Sequence, residues 1–172
     1  MNELMSGTYL LNIGTDLFAL IILIVLYASD RNNMGQTYDM VLFSDIQILF
    51  MLCAGFDILS WLFDGVGGAG ARSFVYIGNV CFMMLETLSL GIWFLFVNYR
   101  LHKAALNSTQ KCWFSIPFII IAILLILTPQ YKIFFTVDIN SFYHRTLWTD
   151  VMSLFQIGLL LTSSFNALKQ RR

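Results

Sequence analysis

Five long apolar runs, separated by short polar segments, constrain this chain more than any other feature. An apolar run of about 20 residues can cross the hydrocarbon core of a bilayer as a helix. Only 12% of the 172 residues are charged, whereas soluble domains average about 25%. The predicted fold is therefore an all-α polytopic membrane bundle forming a single transmembrane domain. Its five spans are expected at residues 8–27, 40–63, 73–99, 113–128 and 147–168.

Positive charge gives the bundle a predicted direction. Cytoplasmic loops of membrane proteins carry an excess of Lys and Arg. If the N-terminus is outside, five spans place the C-terminus inside, and the inner side then holds most of the cations. The inner cations are Arg31, Arg100, Lys103, Lys111, Lys169, Arg171 and Arg172, and the outer ones are Arg72, Lys132 and Arg145. The chain is predicted to lie in the cell inner (cytoplasmic) membrane with its N-terminus out.

Acidic residues occur inside the second and third runs, where a helix surrounded by lipid should carry none. Asp57, Trp61 and Asp64 have the spacing i, i+4, i+7 and share one face of a helix. Asn79 and Glu86 are seven residues apart on the next helix. Such polar stripes face a protein interior or a water-filled cavity, because lipid offers a carboxylate no partner.

Depth along the helices brings many of these polar residues together. At a rise of about 1.5 Å per residue, four helices place polar side chains in the outer half of the membrane. We therefore expect an outward-opening ligand pocket, roofed by the segment 129–146. Its predicted ligand-binding residues are Asn12, Asp16, Asp57, Trp61, Asp64, Asn79, Glu86, Tyr143, Arg145, Asp150 and Gln156.

The polar residues around this pocket also admit a structural interpretation, and the aromatic residues near it suggest where the segment 129–146 lies. The polar residues could form a structural network, with carboxylates protonated or capped by Arg72, Arg145 or backbone groups, and Trp61 could serve packing. The aromatic residues of the segment 129–146 and its flank suit the headgroup region of a membrane. They are Tyr131, Phe134, Phe135, Phe142, Tyr143 and Trp148.

The glycine-rich segment DGVGGAGAR, residues 64–72, joins the second and third runs. Glycine is unfavourable in a helix by about 1 kcal/mol relative to alanine, so a non-helical linker is expected. A phosphate-binding loop is excluded because no strand precedes it.

Catalytic, metal and nucleic-acid functions find no support. His102 and His144 are predicted on opposite sides of the membrane, and no HExxH or GxSxG motif occurs. Cys53, Cys81 and Cys112 show no metal-binding spacing. The formal net charge of +0 argues against a nucleic-acid partner. We expect no enzyme activity, no metal and no cofactor in this chain, with any catalysis in an output domain that it lacks.

Three motifs resemble a known group of proteins. They are a D-x-x-x-W-x-x-D-G helix end (Asp57, Trp61, Asp64 and Gly65), an I-x-N helix start (Ile77 and Asn79) and an aromatic loop (Asp138, Tyr143 and Arg145). Over residues 8–168 the chain resembles the membrane-embedded N-terminal sensor regions of Firmicutes GGDEF-type diguanylate cyclases and sensor histidine kinases. Thr146 stands where glycine is common, and Asn140 falls one position early. The resemblance implies signal reception, with output from a cytosolic domain or partner.

The primary hypothesis is a transmembrane sensor, or input module, of a bacterial signalling protein. It would bind an unknown small molecule, peptide or lipid signal and relay it to a cytosolic output domain or partner protein. A homodimer is compatible with this hypothesis. Two alternatives stay open: a small ion-coupled transporter or channel subunit that uses Asp57 and Glu86, and a membrane scaffold without ligand. A transporter needs polar residues in the inner half, where they are sparse: Asp45, Gln47, Ser60 and residues 162–164.

Single cysteines test the predicted topology. On a background without the three native cysteines, labels at Gly68 and Ser141 should react with an impermeant reagent added outside. Labels at Asn33 and Ser108 should react only from inside, because those positions are predicted to be cytoplasmic. Outside reaction at Asn33 would contradict the five-span, N-out arrangement.

Overall fold

Five long helices and one short β-hairpin make up the molecule. The computed structural model describes residues 3–31, 37–102 and 107–170. The helices are α1 (Glu3–Arg31), α2 (Tyr38–Phe63), α3 (Ala69–His102), α4 (Ser108–Tyr131) and α5 (Leu147–Gln170), with strands β1 (Phe135–Val137) and β2 (Tyr143–Arg145) between α4 and α5. Lys103, Arg171 and Arg172, which contribute to the predicted orientation, and the labelling position Asn33 lie outside the described residues.

The all-α prediction is confirmed. Within the described part of the chain, four segments are long and apolar enough to cross a membrane. They are Tyr9–Asp30, Tyr38–Phe63, Ala69–His102 and Phe114–Tyr131. A helix that spans a bilayer needs about 20 mostly apolar residues. Helix α5 carries polar residues along its length, including Asp150 and Gln156, which lowers its apolar character. The fifth span and the direction of the bundle stay predictions.

Helix α3 is the centre of the bundle. It packs against α2, α4, α5 and β1, whereas α1 packs chiefly against α2. Gly78 permits a close approach of α2 and α3, since a Cβ there would lie 3.1 Å from the Ser60 Cβ and 3.2 Å from the Phe56 carbonyl oxygen. Small residues at such crossings let helix backbones pack tightly where no hydrophobic force draws them together.

The outer faces of α1, α4 and α5 are apolar. Large exposed side chains recur along them, including Leu10, Phe18, Val25, Ile119, Ile126, Leu154 and Leu161. A surface of this kind suits contact with lipid tails, whereas in water it would favour association. The described packing thus leaves lipid as the natural neighbour of these three helices.

The β-hairpin folds back into the bundle. Its strands are antiparallel, with Phe135 opposite Arg145 and Val137 opposite Tyr143. Phe134 and Phe135 are buried in the core with Val75 and Leu125. These two aromatic side chains therefore have no surface for contact with lipid headgroups, because they fill the space between α3, α4 and α5. Tyr131 and Trp148 are exposed.

The hairpin turn also changes the choice of labelling position. Ser141 is fully buried with a φ of 68°, and it is a poor site for a reactive cysteine. Ile139 in the same turn is 84% exposed and is the better site for the topology experiment.

The glycine-rich linker is shorter than predicted. Helix α3 begins at Ala69 and includes Gly70, so only the residues from Asp64 to Gly68 form the turn. Gly65 and Gly68 have positive φ values of 73° and 119°, which residues with a Cβ adopt unfavourably. A Cβ on Gly65 would also lie 2.7 Å from the ring of Phe142. The Gly65 backbone therefore fits against the hairpin only because it has no side chain.

A glycine pair tests this close contact. Gly65→Ala should lower the free energy of unfolding by about 1–2 kcal/mol, because it adds left-handed backbone strain and a clash with Phe142. Gly67→Ala is the matched control, since its Cβ would meet nothing within 4 Å and no positive φ is recorded for it. Thermal unfolding in detergent measures both. Equal melting temperatures for the two variants would show that the hairpin does not depend on Gly65.

Candidate functional site

A polar cavity of about 210 Å³ lies between α2, α3, the start of α5 and the hairpin. It occupies the end of the bundle where α2 joins α3. Its wall draws on distant parts of the sequence and mixes acidic, amide, hydroxyl and aromatic groups. The lining residues are Asp57, Ser60, Trp61, Asp64, Asn79, Phe82, Met83, Glu86, Tyr143, Arg145, Thr149, Met152 and Ser153.

Asp64 joins three separate segments at the mouth of the cavity. One carboxylate oxygen accepts a hydrogen bond of 2.8 Å from the backbone N–H of Tyr143 in β2. The other accepts one of 2.6 Å from the hydroxyl of Tyr9 in α1. The neighbouring Gly65 N–H donates to the Ser141 carbonyl oxygen at 3.2 Å. The end of α2 therefore holds both α1 and the hairpin in place.

Hydrogen bonds within the hairpin fix its position on the helices. The Oγ1 atoms of Thr146 and Thr149 both donate to the carbonyl oxygen of Phe134, and the first of these bonds is 2.7 Å long. Arg72 donates to the carbonyl oxygen of Val137 at 3.1 Å. Arg72 thus serves the hairpin backbone, and in the structural-network alternative it is not the group that caps a carboxylate.

Two α3 residues contact the neighbouring helices deeper in the cavity. The Asn79 amide donates to the Ser60 hydroxyl on α2 and to the Val75 carbonyl oxygen within α3. Further along, the amide of Gln156 on α5 donates hydrogen bonds to a carboxylate oxygen of Glu86, at 3.1 Å, and to the Thr87 hydroxyl, at 3.2 Å. These contacts connect α3 with α2 on one side and α5 on the other.

Two carboxyl groups, one on α1 and one on α2, lie on the α1 side of the cavity. The carboxyl groups of Asp16 on α1 and Asp57 on α2 lie close enough to interact electrostatically. One Asp16 oxygen, Oδ2, is buried without a hydrogen-bond partner among the described residues. Trp61 packs edge to face against Tyr9, with ring centroids 5.3 Å apart. Helix α1 thus forms the back of the site without lining the cavity.

The structure brings seven of the predicted site residues together in the cavity wall: Asp57, Trp61, Asp64, Asn79, Glu86, Tyr143 and Arg145. Asp16 and Gln156 are outside the lining; Asp16 lies near Asp57, and Gln156 donates a hydrogen bond to Glu86. Asn12 and Asp150 are not part of the lining. Asp150 is exposed on the outside of α5 and Asn12 is half-buried in α1.

Sequence reasoning missed several members of the site. Ser60 was placed in the inner half, yet it lies one helical turn before Asp64 and faces the cavity. Its position could have been found, since it shares the face of Asp57 and Asp64 at spacings of three and four. Tyr9 lies seven residues before Asp16 on the same helix face, which is a weaker signal. Phe82, Met83, Thr149 and Met152 carry no signal that separates them from ordinary core residues.

The charge of the cavity is unbalanced. Asp57, Asp64 and Glu86 line it, whereas Arg145 is its one cation. In the part of the chain that the structure describes, the recorded ion pairs are Arg100 with Asp39 and His144 with Asp138. Neither pair includes a carboxylate of the cavity.

Tyr143 brings a hydroxyl group to the mouth. Burial raises the pKa of Tyr143 above its ordinary value, while the nearby Arg145 acts in the opposite direction. The phenol therefore stays protonated at neutral pH and can donate a hydrogen bond. No group of three or more His, Cys, Asp or Glu side chains suited to a metal ion occurs among the described residues.

Comparisons with known proteins add no relative. Neither the scan against protein-family models nor the searches of curated proteins and of solved structures found a match to this chain.

A double-mutant cycle tests the role of Asp64. Asp64→Asn should lower the free energy of unfolding by about 1–3 kcal/mol, because the amide presents N–H to one of two donors. Tyr9→Phe should weaken the protein less when Asp64→Asn is already present, because the two groups share one bond. Asp150→Asn, an exposed acid, serves as control and should shift stability by about 0.5 kcal/mol or less. Additive effects of the two changes in denaturant unfolding would contradict the Tyr9–Asp64 contact.

Proposed function

We propose that the chain is the membrane-embedded input module of a bacterial signalling protein. It would cross the inner (cytoplasmic) membrane five times, with its N-terminus outside, and bind a small molecule, peptide or lipid signal in the cavity. An output domain in the cytosol, or a partner protein, would receive the signal. The resemblance in the Asp57–Gly65, Ile77–Asn79 and Asp138–Arg145 motifs supports the same proposal.

The polar cavity at one end of an apolar bundle carries this proposal. Its residues come from α2, α3, α5 and the hairpin, and the hairpin rests on the α2–α3 turn through Asp64 and Gly65. In the proposed orientation this end faces outward. A ligand arriving from outside would then contact all four elements at once.

The helices that line the cavity offer a route to the other side. α2, α3 and α5 each continue beyond the cavity to the far end of the bundle. There Arg100 on α3 pairs with Asp39 on α2 at 3.0 Å, and the rings of Tyr38 and Tyr99 pack 4.8 Å apart. A ligand can bias the packing of these helices only by binding one arrangement more tightly than another.

A transporter or channel subunit is the second candidate, and the shape of the cavity disfavours it. Glu86 is the deepest carboxylate in the lining and lies near the midpoint of α3. Beyond it, the buried Gln47 of α2 donates a hydrogen bond of 2.9 Å to the carboxylate of Asp30 in α1, and this bond connects the two helices. A pathway through the membrane would need a continuous series of polar groups lining water. The other alternative, a membrane scaffold without a ligand, does not need a cavity lined by acidic and aromatic side chains.

A cavity-filling substitution tests the relay. Ser153→Trp places a large ring in the cavity wall and should mimic an occupied site. Spin labels on exposed positions of α2 (Asp45) and α5 (Phe165) report the spacing of the helices towards the far end. We expect their separation to change by about 1–2 Å, the size of typical helix shifts in switching proteins.

The matched control is Leu154→Trp, which adds the same ring to a side chain that is 68% exposed on the outer face of α5. It should leave the separation unchanged. Ser153→Phe, a smaller addition, covers the case in which the Trp variant fails to fold. A folded Ser153 variant with an unchanged separation would argue against an input module and favour a structural network.

A further inference from the structure

We propose that the cavity binds the protonated amino group of a small organic amine. This inference rests on the proposed function, because it names the chemical class of ligand for the same cavity. The ammonium group would lie between Asp57 and Glu86, with the carbon chain against the aromatic and apolar part of the wall.

The balance of charge selects a cation. Three carboxylates line the cavity, and Asp16 adds a fourth directly behind Asp57. Arg145 is the one cation in the wall; it is exposed at the mouth, and its charge acts on Glu86, so one cation faces four carboxyl groups. Carboxylates that are removed from water need a proton, a cation or hydrogen-bond donors. A bound ammonium group would supply both charge and donors.

The hydrogen bonds already formed show which carboxylates remain for a ligand. Asp64 uses one oxygen for the Tyr143 N–H and the other for the Tyr9 hydroxyl. Glu86 accepts a bond from Gln156 at one oxygen, Oε2. Asp57 has the Asp16 carboxyl and the Trp61 side chain as neighbours. Asp57 and Glu86 are therefore the lining acids with capacity for a donor.

The surroundings of Asp16 are a separate indication. Asp16 lies close enough to Asp57 for the two carboxyl groups to interact electrostatically, and two bare negative charges repel. Asp16 Oδ2 is also buried without a hydrogen-bond partner among the described residues. Among the described residues, no Lys or Arg lines the cavity on this side, and an ammonium group would supply positive charge together with hydrogen-bond donors.

The rest of the wall favours an organic cation over a metal ion. Trp61, Tyr143 and Phe82 offer ring faces that attract ammonium groups. Met83 and Met152 add an apolar surface suited to a carbon chain. Divalent metals such as Ca²⁺ prefer a shell of oxygen ligands, and among the described residues no three acidic, His or Cys side chains are grouped so that they could hold a metal ion.

Size sets a further limit. The cavity volume of about 210 Å³ is below the roughly 300–1,000 Å³ of sites for drug-sized ligands. A compound of a few heavy atoms with one amino group fits that space. Such a group occurs both in soluble amines and in the headgroup of phosphatidylethanolamine, and the experiment separates these sources.

Three probes with the same four-carbon chain test the charge requirement. The full chain in phosphatidylglycerol nanodiscs, which contain no amine, is titrated with butylammonium chloride, 1-butanol and sodium butyrate. Tryptophan fluorescence and melting temperature report binding. We expect butylammonium to bind at least tenfold more tightly than the other two and to raise the melting temperature. Equal responses to all three probes, or a preference for butyrate, would overturn the proposal.

Matched variants locate the site. Asp57→Asn and Glu86→Gln should each weaken butylammonium binding at least tenfold, since they remove a charge while keeping the shape of the side chain. Asp150→Asn removes an exposed charge outside the lining and should bind as the unaltered protein does. Unchanged affinity in both cavity variants would place the binding elsewhere and refute the proposal.

A second nanodisc composition distinguishes the sources of the amino group. If phosphatidylethanolamine competes with butylammonium, the lipid headgroup is a ligand of the site; if it does not, soluble amines are. Either result supports recognition of an ammonium group. No binding of butylammonium and no effect of phosphatidylethanolamine would overturn it. The Ser153→Trp spin-label experiment remains a separate measure of the proposed relay, so failure of amine binding leaves that result intact.

Discussion

The carboxylate of Asp64 is the interaction on which the cavity end of the molecule depends. It is located just after the last residue of α2, and it receives donors from α1 and from β2, which are 55 and 79 residues away in sequence. In a membrane setting such groups have few alternative partners, because lipid tails neither donate nor accept hydrogen bonds. One side chain therefore determines how α1, the α2–α3 turn and the hairpin meet.

Around that point the bundle combines two kinds of packing. Near Gly78, α2 and α3 touch almost backbone to backbone, and the polar contact of Asn79 with Ser60 lies beside the crossing. Where α3 faces α4 and β1, packing is mostly apolar, with Phe135 and Leu125 fully buried. The cavity wall includes side chains of both kinds, such as Asn79 and Met83.

Sequence patterns predicted the parts of this arrangement that depend on local geometry. The apolar runs indicated the helices, and the spacing of Asp57, Trp61 and Asp64 placed them on one helix face. Contacts set by the folding of distant segments were beyond such patterns: the bond from Tyr9 to Asp64, and the burial of Phe134 and Phe135. An aromatic residue suits an interface and a core equally well, and only the path of the hairpin decides between them.

The residues that form the cavity wall are far apart along the chain, which has a consequence for biogenesis. The α2 and α3 residues of the wall are neighbours in sequence, whereas Tyr143, Arg145 and Ser153 come from the final fifth of the chain. As the protein emerges from the ribosome, the acidic face of the α2–α3 pair is made well before the segment that covers it. During that interval Asp57 and Glu86 lack Gln156 and the hairpin, and the insertion machinery or interfacial water must accommodate them.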